Sequence, residues 1–142
     1  MARQVFAFLV VLMVLGALAV AQQKPRIEKG TIQPTSAANG KEMYVGYCAP
    51  CHGSAGKGDG PAAAALNKKP ADLTKISARA GGTFPAVRVS RFIEGEDVVA
   101  AHGSRDMPMW GDLFKSLNTN NPSAESKVRV YNLTEYLRSI QQ

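Results

Sequence analysis

This sequence offers few residues that could staple the chain or hold a metal by themselves. Only two cysteines, Cys48 and Cys51, occur among 142 residues, and they lie three positions apart. That excludes the spaced disulfide framework of a small secreted scaffold. It also leaves a four-ligand zinc site short of sulfur. No repeat of solenoid length is present, and no long apolar–polar alternation supports a strand-based domain. The 17 Lys and Arg against 11 Asp and Glu give +6, but the charges are of mixed sign along the chain. Without a polybasic arm, zinc-finger spacing or basic–aromatic alternation, nucleic acid is not an expected partner. What is present is 45% hydrophobic residues, enough for one core, with 13 glycines and 8 prolines. That mixture suits a loop-rich domain wrapped around a ligand.

The one long apolar run follows Arg3. From Val5 to Ala21 there is no charge, and Ala19 and Ala21 are small residues at the −3 and −1 positions of a processing site. This predicts a signal peptide over 1–21, export to the periplasm, a flexible polar segment over 22–35 and a single domain over 36–142. The alternative is a retained anchor, although the run is shorter than the roughly 20 residues that span a bilayer. Outside the cytoplasm a bare Cys-x-x-Cys pair would not simply persist as a dithiol, so other chemistry is expected at those sulfurs.

Along the remainder, Ser36 is a candidate cap for a helix ending near Cys48, with Gly40 small enough to admit another helix and Tyr44 one turn beyond it. Gly53 to Gly60 holds four glycines and predicts a tight loop. Short helices are expected over 61–66, 84–93 and 96–101, with Leu73 and Ile76 in the core between them and a turn-rich segment over 103–111. The last element has the strongest pattern: Asn121 or Ser123 as cap, Pro122 at an early position, and Val130, Leu133, Leu137 and Ile140 at intervals of 3, 4 and 3. Lys127, Arg129, Glu135 and Arg138 predict a polar outer side for this helix, which is expected to pack on the first. The fold class is all-α.

Chemistry concentrates at Cys48-Ala49-Pro50-Cys51-His52. Two sulfurs at this spacing can add to the two vinyl groups of one haem, and the imidazole that follows can reach its iron from one face. A thioredoxin-like dithiol would use the same two cysteines, but it expects a strand, turn and helix, whereas this pair follows a helix and precedes a glycine loop. On the other face of the iron, Met107, Met109 and His102 are the candidate ligands. Trp110 is a candidate to close the pocket, with its indole N–H available to a propionate or a carbonyl. Arg105 is either a propionate partner or a solvated surface charge.

With CAPCHG, GKGDGP, DMPMWG and the terminal LTEYL in place, the chain resembles a bacterial class I cytochrome c over nearly all of the expected mature domain. The resemblance implies a compact fold of several short helices around one covalently bound haem c. It implies His52 and Met107 as axial ligands, favouring the methionine before Pro108, and the Pro61 carbonyl as acceptor for the His52 ring N–H. It further implies a one-electron carrier, not an enzyme, that cycles Fe(III) and Fe(II) between a redox protein donor and acceptor outside the cytoplasm and needs no organic substrate. Acidic-faced or membrane-associated partners suit the basic chain, with Lys57, Lys68, Lys69 and Lys75 as candidate contacts by charge. The rival readings are a haem domain with an open sixth site, catalytic or gas-sensing, and a haem subunit held permanently in a dehydrogenase or oxidase complex.

Overall fold

The computed structural model describes residues 34–96, 107–117 and 120–142. The leader over 1–21, the arm up to residue 33, the helix expected after Glu96, His102 and Arg105 lie outside those residues. The helices are α1 (Gly40–Met43), α2 (Ala49–His52), α3 (Ile76–Arg79), α4 (Ala86–Glu94), α5 (Trp110–Ser116) and α6 (Pro122–Ser139), with single 3-10 turns at Ala63–Ala65 and Leu73–Lys75. Among the described residues there is no strand, and the fold is all-α. No helix among them is long and apolar enough to cross a membrane.

The first helical stretch begins later than the sequence suggests. Asn39, not Ser36, caps it, its side-chain oxygen accepting the Glu42 N–H at 3.0 Å. Ser36 instead heads a turn whose carbonyl accepts the Asn39 N–H at 3.2 Å. Asn is as good a cap as Ser, and this start sets Gly40 at the crossing with α6. Between α1 and α2 the chain makes one π turn over Tyr44–Cys48, in which the Ala49 N–H reaches back to the Tyr44 carbonyl. The helical path therefore continues through His52 and stops at Gly53, whose φ of +80° a side chain would resist.

Helix α6 is the spine. Asn121 accepts the Ala124 N–H at 3.4 Å and Pro122 occupies the first turn. Val130, Leu133 and Leu137 face a core shared with Met43, Tyr44, Tyr47, Ile93 and Phe114, and α6 packs on α1, α4 and α5. The Tyr44 and Tyr136 rings lie 5.1 Å apart across the α1–α6 contact.

Two elements differ from expectation. The helix expected over 61–66 is only the turn Ala63–Ala65, because four alanines offer little apolar area to hold a short helix against water. Conversely, α5 begins inside the segment expected to be turn-rich, and its Trp110, Leu113, Phe114 and Leu117 fall at the i, i+3, i+4, i+7 spacing of an apolar face. Arg129 also departs from its expected outer position: it is 4% exposed. Its guanidinium bonds Glu125 at 2.7 and 3.1 Å, donates to Thr35 Oγ1 at 3.1 Å and lies 6.0 Å from the Phe114 ring centre. Thr35 Oγ1 in turn donates to the Tyr47 hydroxyl at 3.0 Å. Paired and stacked in this way, a buried guanidinium becomes tolerable.

Candidate functional site

Cys48 closes the π turn, and Cys51 and His52 follow on the next turn. Three and four residues apart, they fall along one flank of the helix, a separation at which two thiols and an imidazole can serve one ligand. Both thiols are free and half-buried. Burial pushes the Cys48 thiol up to about 12, and the neighbouring Cys51 adds to the effect. A redox-active dithiol needs the opposite, a lowered pKa that yields thiolate. The thioredoxin-like reading also lacks its strand among the described residues. Nor do three or more His, Cys, Asp or Glu side chains converge anywhere among the described residues, as a protein-only zinc site would require.

The His52 ring is anchored through Nδ1, 2.9 Å from the Ala71 carbonyl. A carbonyl only accepts, so Nδ1 carries a proton, and in the neutral ring the Nε2 lone pair is left for a metal. The acceptor expected at Pro61 is thus replaced by Ala71, and the loop path explains the change. The glycine loop folds back on the end of α2, with Gly58, Gly60 and Ala62 giving their N–H groups to the carbonyls of His52, Cys51 and Pro50 at 2.8, 3.1 and 2.9 Å. This turns Pro61 to the outside, where it lines a shallow depression of about 360 Å³ with Val45, Ala49, Pro50 and Gly60. Gly58, at φ +76°, leaves no space for a Cβ beside the Pro70 carbonyl, and that close crossing carries Ala71 over His52. Tyr44 secures the same C-terminal end of α2: its hydroxyl donates to the Gly53 carbonyl at 2.6 Å. Burial pushes this phenol up to about 12, with smaller contributions from Cys48, Tyr136 and Asp59.

The two methionines are used differently. Met109 is 42% exposed, and its side chain lies over Gly95, at φ +87°, where a Cβ would come within 2.7 Å of its Cγ. Met107 is half-buried and precedes this packing contact. Trp110 opens α5 with its ring 5.5 Å from Tyr47, the neighbour of Cys48, and 6.2 Å from Phe114. Met107 is three residues from Trp110, so their Cα atoms are within about 11 Å. The Tyr47–Trp110 contact links the segment that carries Met107 to the helical stretch that carries the cysteines.

These donors fit a covalently held haem by their chemistry: two unpaired thiols one turn apart, an imidazole bonded through Nδ1 so that Nε2 of the neutral ring is available, and the neutral thioether of Met107. Ala71 leaves no mark in the sequence because it contributes only a backbone carbonyl, and the type of Tyr44 does not say which acceptor its hydroxyl meets.

Residues 35–118, more than half of the chain, match a cytochrome family model, and the protein is a c-type cytochrome. It belongs to the family whose model is described as Cytochrome C oxidase, cbb3-type, subunit III. No curated protein and no solved structure matches it significantly. Membership implies covalently bound haem c and electron transfer through it.

Proposed function

We propose that the protein is a single-haem electron carrier working outside the cytoplasm. Cys48 and Cys51 would hold the haem through thioethers, and His52 and Met107 would supply its iron ligands. The observation that carries the reading is the His52–Ala71 bond, which commits the ring to the tautomer an iron ligand needs. Bound haem supplies the one-electron Fe(III)/Fe(II) couple. The chain's part is to fix the imidazole, keep water from the ring through Trp110 and the surrounding core, and present a basic surface to redox protein partners. Held by both His52 and Met107, the haem would serve electron transfer rather than oxygen chemistry, and no organic substrate would be turned over.

Exported protein made with a cytochrome c maturation system tests this directly. Its mature mass should exceed that of the chain from about residue 22 by one haem that survives acid and denaturant. A chain without added mass would overturn the proposal, and a full-length chain found only in membranes would overturn cleavage of the leader.

A second reading, a haem subunit held in an oxidase complex, draws support from the family's description and from the exposed Val87 and Tyr131, 73% and 64% accessible. A haem protein that purifies only with other subunits would favour it over a free carrier.

A further inference from the structure

The carbonyl that orients His52 belongs to a stretch with no regular structure of its own, residues 69–72, between two single 3-10 turns. A carbonyl in such a stretch is only as fixed as the bonds on either side of it. Upstream, Pro70 presses on Gly58. Downstream, Leu73 gives its N–H to the Gly56 carbonyl at 2.7 Å, and its own carbonyl accepts Gln141 Nε2 at 2.8 Å. Gln141 Nε2 also donates to the Leu137 carbonyl at 2.6 Å, and Gln141 Oε1 accepts the Ser77 N–H at 2.8 Å. The Gln142 N–H adds a bond to the Thr74 carbonyl at 2.9 Å. One amide thus grips both ends of the Leu73–Ser77 segment and ties it to the last turn of α6. Its orientation is unambiguous, since the flipped amide would set oxygen against two carbonyls.

We propose that Gln141 is a positioning residue for His52. By holding Leu73–Ser77 it holds Ala71 two residues away, and with it the acceptor that keeps the imidazole proton on Nδ1 and the ring at a fixed angle. The proposal rests on the reading of His52 as the iron ligand. A weaker Nδ1–H bond makes the imidazole a poorer electron donor, so the reduction potential should rise when the clamp is lost.

The test compares wild type, Gln141→Ala and Gln141→Glu as haem-loaded, reduced, isotope-labelled proteins. Exchange of the His52 ring N–H with solvent is followed beside that of the Leu133 amide in the middle of α6. In Gln141→Ala the ring N–H should exchange about tenfold faster, with Leu133 unchanged and the potential higher. Gln141→Glu keeps the acceptor for Ser77 but has no donor for Leu73, and should fall between. A ring N–H at the wild-type rate in Gln141→Ala, or one that accelerates only in step with Leu133, overturns the proposal. Should Gln141→Ala fail to load haem, the same comparison on Gln141→Glu decides. A wild-type iron not bonded to His52 would sink the reading of the site instead. The clamp would still be judged on the ring N–H, because the Ala71 bond is made by the other nitrogen.

Discussion

Gly40 meets the backbone of Asn132 with no room for a side chain: a Cβ there would lie 2.8 Å from the Asn132 carbonyl carbon and closer still to its oxygen. Helices α1 and α6 therefore touch backbone to backbone. Gly40→Ala gains at most about 1 kcal/mol of helix propensity. Overpacking in a close-packed contact costs about 1–3 kcal/mol or more, and here the obstructing atoms are backbone. The variant should lose about 1–2 kcal/mol net in denaturant unfolding of the haem-loaded protein; an unchanged or raised midpoint would count against the crossing.

The methionine pair gives a spectroscopic prediction. Met109 is engaged with Gly95, so Met109→Ala should retain the weak near-infrared sulfur-to-iron band of the oxidised protein while loosening that contact. Met107→Ala should abolish the band and lower the reduction potential, because the thioether favours the reduced iron. Loss of the band only in the Met109 variant would reverse the assignment.

Tyr44→Phe removes the bond to the Gly53 carbonyl, which keeps the Gly56 N–H at 3.1 Å, at a cost of about 0.5–1.5 kcal/mol near neutrality. Its pH dependence has a definite sign. The folded phenol titrates at about 12 against 10.0 for the unfolded group, so the native state holds its proton longer. The stabilisation is complete below pH 10 and is lost as pH rises towards 12. Unfolding curves should show an alkaline decline in the wild type that is smaller in Tyr44→Phe; equal declines would remove Tyr44 as its source.

Asp72 predicts the acid side. It accepts the Thr74 hydroxyl and N–H at 2.6 and 2.9 Å. The hydroxyl bond, chiefly, holds its carboxyl below the usual carboxylate range, assisted by the backbone bond, Lys75 and Arg79. Its contribution is present above the ordinary carboxylate pKa and fades as pH falls through the lowered one. Asp72→Asn keeps an acceptor but cannot titrate, so its stability should fall less between neutral pH and strong acid. A slope identical to the wild type would refute this.

The sequence disclosed chemistry where side chains state it. Cys48, Cys51 and His52 announce themselves by type and spacing, and the Val130, Leu133, Leu137, Ile140 pattern is long enough to define α6. It was less legible where a role depends on distant partners. Arg129 reads as a surface charge because charged residues are seldom buried. Only the fold brings it Thr35, 94 residues away in sequence. Ala71 contributes a carbonyl, and no residue type encodes which carbonyl will arrive at an imidazole. Helix α5 is a different case: its apolar spacing is visible in the sequence, but the glycine and proline content nearby argues for turns.

The π turn over Tyr44–Cys48 amounts to one residue more than an ordinary helix would use to reach the haem-attachment motif. Each helical residue turns the chain by about 100°, so the extra one resets which direction the motif faces relative to the tyrosines anchored in the core. Lengths before Gly40 and after Gly53 can drift without altering that relation. A deletion at Val45 or Gly46 would instead close a regular α turn and rotate both cysteines and the histidine together about the axis, leaving every motif residue intact and aimed elsewhere.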